Sequence, residues 1–186
     1  MTSEDHDQLF RRGANLIEPH MLLDDQKPAS PNEHEVRVGI ACLDRVVTIN
    51  PSNWSALWIR GKAFQSLGDH SSALGSFRSA YRVKPGQEDV AREMTRELLE
   101  LRQFAEAVTI GRDICKRNPD DAGLRANLAL ALLLNGELAD AQQVIGSAQK
   151  LDPNDAVTNA LAKRIDEVAN GKRPQPSTLD ELQRGR

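Results

Sequence analysis

The chain has 186 residues, of which 39% are hydrophobic and 27% charged, with a formal net charge of −3. This is the composition of an ordinary folded domain or short repeat array, and the charge gives no general attraction to nucleic acid or an anionic membrane. No apolar run approaches the roughly 20 residues that cross a bilayer, which excludes membrane insertion.

In chain order, the acidic opening MTSEDHDQ lacks the basic-then-apolar pattern of a signal peptide, and a cytoplasmic protein is expected. The stretch 7–17, DQLFRRGANLI, reads as a helix with Leu9, Gly13 and Leu16 on one face. A loop is expected over 19–32, where Pro19, Pro28 and Pro31 accompany Asp24-Asp25. A second helix, EVRVGIACLDRVVTINP (35–51), carries Gly39, Leu43 and Val46 ahead of Pro51. From there helices alternate with turns at Gly68-Asp69 and Gly136-Glu137. The stripe Val157, Leu161, Ile165 and Val168 marks a last amphipathic helix, ended by Gly171 and Pro174. Residues 171–186 read as a flexible tail, in which Thr178 and Glu181 have the spacing of a capping box. Cys42 and Cys115 lie 73 residues apart with no ligand-like neighbours, so both are expected to be reduced thiols.

An internal period organises these elements. Pro51, Pro85, Pro119 and Pro153 follow one another at 34-residue steps, as do Ala73, Ala107 and Ala141, and Ala80, Ile114 and Ala148. Gly68, Arg102 and Gly136 keep the same step. Residues 54–87 give the fullest copy, with Leu57, Gly61 and Phe64 on a first helix, Ala73 and Phe77 on a second, and Pro85 at the end. The pattern resembles the tetratricopeptide repeat, a 34-residue helix pair written W-x2-L-G-x2-Y, A-x3-F, P. Arg60 stands where that family has leucine, and residues 88–121 are degenerate, with Thr95 and Gly111 at the first glycine and at an aromatic position.

The resemblance implies an all-α fold, a right-handed superhelix (α-solenoid) of antiparallel helix pairs. The expected divisions are an atypical first repeat over 1–53 with its long loop 19–32, repeats at 54–87, 88–121 and 122–155, a capping helix at 156–170 and the tail 171–186.

The sequence contains no GxGxxG, P-loop, HExxH or GxSxG motif. His6, His20, His34 and His70 lack ligand spacing, and the acidic pairs Glu97/Glu100 and Asp24/Asp25 read as solvated carboxylates. No catalytic residue, metal or cofactor is therefore assigned, and a non-enzyme is expected. Arg11-Arg12 and Lys116-Arg117 are too short and too mixed with acids for a nucleic-acid surface.

In the family resembled, the first helix of each pair lines a concave groove. Stepping by 34 residues assigns that groove Trp58, Ile59, Lys62, Gln65, Arg92, Arg96, Asn127, Leu130, Leu133 and Leu134. Lys62, Arg92 and Arg96 would form a basic cluster beside Trp58, suited to an extended acidic and apolar peptide. A carboxylate clamp of the kind used by co-chaperones is not matched, because its positions hold Trp58 and Lys62, then Glu93, then Gly123 and Asn127. Within the run LALALLL, Leu128 and Leu132 share the seam face, while Leu130, Leu133 and Leu134 fall roughly 140–240° away on a 3.6-residue helix. That second set is expected to contact a partner, the tail or a second chain, the last making a homodimer, with ordinary internal burial as the alternative. The expected function is a non-catalytic scaffold, adaptor or chaperone-like, that binds a protein or peptide in the groove. The alternatives are an inhibitor such as an immunity protein that covers a toxin, and a self-associating assembly factor.

Overall fold

The computed structural model describes residues 3–21 and 31–183, and the described residues are all-helical, without strands. Ten α-helices follow in order: α1 (Ser3–Ile17), α2 (Glu33–Ile49), α3 (Trp54–Ser66), α4 (His70–Val83), α5 (Glu88–Glu100), α6 (Phe104–Arg117), α7 (Ala122–Leu134), α8 (Leu138–Leu151), α9 (Ala156–Ala169) and α10 (Leu179–Gln183). A 3-10 turn, Glu18–His20, extends α1. Most of the expected loop, residues 22–30, lies outside the described residues.

The helix ends keep the period of the prolines. Second helices stop at Ile49, Val83, Arg117 and Leu151, two residues before each proline, and first helices begin at Trp54, Glu88, Ala122 and Ala156. Proline lacks a backbone N–H and disfavours the helical conformation in the residue before it, which explains the regular stop. The next start is set by a side-chain cap two residues after the proline. Asn53, Asp121 and Asp155 accept from the backbone N–H of Ala56, Leu124 and Thr158. In the third repeat Gln87 occupies that position.

The chain divides into two compact units, Met1–Val90 and Ala91–Arg186. In the first unit α1 packs on α2 and α3 on α4, with further packing of α2 and α1 on α3. Ile17, Val36, Leu43, Val46, Ala56 and Ala63 form its fully buried cluster. In the second unit α7 packs on α8 and is also covered by α6 and α9, while α8 packs on α9. Each unit is thus built from helices paired in sequence.

Small residues set the closeness of the pairs. A Cβ placed on Gly61 would lie 2.4 Å from the Phe77 ring, and one on Gly39 would lie 2.7 Å from Ile17. Arg60, where leucine was expected, uses its exposed end instead: its guanidinium reaches Asp44 on α2 at 2.8 Å and the Ser76 hydroxyl on α4 at 3.2 Å.

The turns α3–α4, α5–α6 and α7–α8 each place one residue in the left-handed region. Gly68 (φ 71°), Arg102 (φ 57°) and Gly136 (φ 82°) occupy it at one 34-residue step. Arginine carries a steric penalty there that glycine does not.

Two predicted features of the last elements change. Val157 does not belong to the apolar stripe, since it is 70% exposed while Thr158 and Ala162 turn inward beside Ile165 and Val168. The Asp155 cap takes the Thr158 hydroxyl as well as its backbone N–H, which rotates the first turn so that Thr158 faces inward. The segment after α9 is not a free tail. Arg173 pairs with Glu167 at 2.6 Å, Gln175 donates to the Leu133 carbonyl, and Arg164 donates to the Leu182 carbonyl at 2.6 Å. The expected capping at Thr178 is present, with its hydroxyl accepting from the Glu181 N–H at 3.1 Å. The Glu181 carboxylate returns to the Ser177 N–H at 2.7 Å.

The carboxyls of Asp69 and Asp155 lie below the ordinary value of 3.8. At Asp69 the cause is foremost the Ser72 backbone N–H. At Asp155 it is foremost the Thr158 hydroxyl, then the backbone N–H groups of Thr158 and Val157.

Three outcomes follow from this packing. Gly61→Ala lowers stability in urea unfolding by about 1–3 kcal/mol because the ring of Phe77 must shift, whereas Gly75→Ala, in open space, raises it by about 0.5–1 kcal/mol. Arg102→Gly raises the unfolding midpoint, by up to about 1 kcal/mol of stability. Because both folded-state carboxyl pKa values are depressed, their contribution is complete above the unfolded value and is lost as pH falls through the folded one. Thermal melts of Asp155→Asn, which keeps a cap but cannot titrate, therefore show a shallower loss of Tm below pH 4 than the parent, within the acid range set by the ordinary value of 3.8.

Candidate protein-interaction surface

First helices in this architecture are buried on more than one side, and that decides which of the expected groove residues reach solvent. On α3, Ala56, Leu57, Ile59, Gly61, Lys62, Ala63 and Gln65 are all buried. These positions go around the helix rather than along one stripe, as suits a helix covered by α1, α2 and α4. Ile59 belongs to the apolar cluster of the first unit, and Trp58 packs against that cluster, half-buried. The indole N–H of Trp58 is buried without a hydrogen-bond partner. Trp58 is therefore chiefly a packing residue, not an exposed aromatic platform.

The expected basic cluster also changes. Lys62 is 1% exposed, and Gln65 is 4% exposed. A buried ammonium persists when paired, and Lys62 is not a free cation. Arg92 is half-exposed but engaged, its guanidinium 2.5 Å from a carboxylate oxygen of Asp121. Asp121 in turn caps α7 through the Leu124 N–H at 2.8 Å. This pair ties α5 to the start of α7 and removes Arg92 as a waiting ligand for an acidic peptide.

The leucine run is largely inside. Leu128 and Leu132 are buried as expected, but so are Leu133, at 0% exposure, and Leu134, at 5%. By angle alone these two fall on a second, surplus face. That face is covered within the protein because α7 has α6, α8 and α9 around it. Leu133 and Leu134 are thus not available to a partner or a second chain. Leu130 and Asn127 remain half-exposed, and Arg96 is exposed.

Among the positions assigned from sequence, Arg96 on α5 and Asn127 and Leu130 on α7 are therefore the ones still open within the second unit. Arg96 and Leu130 are one 34-residue step apart and occupy equivalent positions on successive first helices. Arg96 forms no ion pair among the described residues.

Further surface features were not anticipated. Ile49, Val83 and Leu151 are exposed apolar residues at one repeat position, two before a proline, and the fourth member of that series is Arg117. The 34-residue step could have found them. A cleft of about 700 Å³ opens between α1 and α2, lined by Arg11, Arg12, Asn15 and His34 among others. Arg112 on α6 bridges Glu137 and Asp140 at 2.8 Å each.

Both cysteines are free thiols. Burial pushes the Cys115 thiol up to about 11, so little thiolate forms at neutral pH. The described residues contain no group of three or more His, Cys, Asp or Glu side chains arranged to hold a metal. No helix among them is long and apolar enough to cross a membrane.

Comparison with known proteins supports the periodicity directly. Sequence models of the tetratricopeptide repeat match residues 33–88 and 98–165. A 59-residue stretch is 30% identical to the transcription factor tau 131 kDa subunit of Saccharomyces cerevisiae, covering 32% of this chain and only 6% of that one. MamA from Desulfovibrio magneticus RS-1 has a similar fold, with a TM-score of 0.71 at 17% identity over 90% of this chain and 86% of that one. A tetratricopeptide repeat protein from Parabacteroides merdae gives 0.74 at 14% identity, covering 91% of this chain and 62% of the other. YrrB, described as a repeat protein of this type with an unusual peptide-binding site, gives 0.64 at 19% identity over 76% and 73% of the two chains. With the proline period, the sequential helix pairs and these matches in agreement, the chain belongs to the tetratricopeptide repeat family, whose members mediate protein–protein interactions.

Proposed function

We propose that this protein is a scaffold, adaptor or chaperone-like, that holds an extended segment of a protein partner on the first-helix face of its second unit. The observation that carries the reading is the pairing in position of an exposed guanidinium, Arg96, with a half-exposed leucine, Leu130, on successive first helices. An unpaired cation on one first helix, with an apolar side chain and the Asn127 amide on the next, suits a segment that presents acidic, apolar and backbone groups together. The peptide-binding site ascribed to YrrB supports the same class of ligand. Two free thiols, Cys42 and Cys115, fit a reducing compartment such as the cytoplasm.

A homodimer through the leucines would rest on Leu130, because Leu133 and Leu134 are buried within the protein. The inhibitor alternative relied on the loop 19–32, most of which lies outside the described residues.

Affinity purification with quantitative mass spectrometry tests the proposal. Arg96→Glu combined with Leu130→Glu reduces recovery of a partner at least about tenfold, equivalent to 1.4 kcal/mol, with unchanged circular dichroism. A surface control, Lys150→Glu on α8, leaves recovery unchanged. Equal recovery by the double variant and the parent would rule the face out.

A further inference from the structure

The chain's own segment 172–183 is anchored to α7 and α9, two of the first helices of the second unit. Continuing the 34-residue step from Arg96 and Leu130 arrives at Arg164 on α9. Arg164 donates to the backbone carbonyl of Leu182 at 2.6 Å. On α7, the carbonyl of Leu133, one turn beyond Leu130, accepts from the Gln175 side-chain amide. The segment is thus held by hydrogen bonds to two first helices, α7 and α9, and by the Arg173–Glu167 ion pair to α9.

The way it is held is that of a bound peptide rather than a packed element. Its anchors are polar, the Arg173–Glu167 ion pair and hydrogen bonds, one of them to its backbone, and only Pro176 is buried among residues 172–182. A cleft of about 270 Å³, lined by Arg164, Pro174, Gln175, Pro176 and Leu182, runs against it. Apart from Arg164, this cleft is lined by the segment's own residues, so little of the segment is packed against the helices. The segment also has internal order of its own, the Ser177, Thr178 and Glu181 cap.

We propose that residues 172–183 are a built-in occupant of the partner-binding face, displaced by a protein segment of the same chemistry. That chemistry is an extended stretch with proline and glutamine running into a short acidic helical turn. Arg164 recognises the backbone of that turn, and the Leu133 carbonyl recognises the amide side chain. A tethered segment competes at an effective concentration of about millimolar, so it screens out weak ligands and admits stronger ones. The inference rests on the scaffold reading and sharpens it to a ligand class.

The test uses a labelled synthetic peptide of residues 172–186, KRPQPSTLDELQRGR, and the full chain. Gln175→Ala with Pro176→Asp releases the tethered segment. The peptide binds this released chain at least about tenfold more tightly than the parent, and adding Arg164→Ala abolishes that binding. Equal binding to released and parent chains overturns the proposal, as does absence of Arg164-dependent binding up to several millimolar, about the effective concentration of a tether. A second measurement needs no variant: saturating peptide speeds hydrogen exchange in the parent's own residues 179–183 at least tenfold, and unchanged exchange overturns the proposal. The two readings fail separately. A partner that depends on Arg96 and Leu130 but binds parent and released chains alike removes only the tethered-occupant proposal. Loss of any such partner removes the scaffold reading.

Discussion

The close seating of one helix on another is the constraint on which this protein depends. At Gly61 the backbone of α3 comes so near the Phe77 ring that not even a methyl group fits between them. At Gly13 and Gly39 the same device joins α1 to α2. A single helix of 13 or 14 residues, such as α3 or α4, is marginal in water. Such helices persist because each buries an apolar face against neighbours, and small residues at the seam let the flanking Leu, Ile and Phe interdigitate.

That constraint has a cost in accessible surface. A first helix seated among three others retains only a narrow strip of solvent-facing positions, and α3 and α7 show how narrow it is. Residues that look suited for binding in a linear reading, such as Trp58, Lys62 and Leu133, become part of the packing. Arg92 is recruited to fix the α7 cap through Asp121. What remains in the second unit is a sparse set, Arg96, Asn127 and Leu130, continued on α9 by Arg164. A face of this kind recognises a ligand through a few directional groups, and it is compatible with the chain's own segment lying partly across it.

The third repeat shows how the fold tolerates departures from its pattern. Arg102 replaces glycine in a left-handed turn, Gln87 stands where other repeats have an asparagine or aspartate cap, and Gly111 stands where an aromatic is expected. Each loss is local, and at Gly111 a neighbouring side chain fills the space. The missing ring at Gly111 admits Leu128 of α7, whose side chain would lie 3.0 Å from an added Cβ. Degeneracy in one repeat is thus absorbed by the helix that follows it.

The sequence by itself determined the helix boundaries, the pairing of helices and the family. Those features rest on local physics: proline ends a helix, Asn or Asp two residues later starts the next, and glycine permits a left-handed turn or a close approach. Their 34-residue spacing repeats this punctuation often enough to be read without coordinates. The tertiary structure alone decided which polar and apolar residues face water. A helical wheel separates two sides of α7, but it does not say that α6, α8 and α9 cover both. Nor does charge patterning reveal that Arg92 meets Asp121, 29 residues away, or that Gln175 reaches a carbonyl 42 residues upstream. Burial and long-range pairing depend on neighbours that the chain brings together only on folding, and the binding surface is what those neighbours leave uncovered.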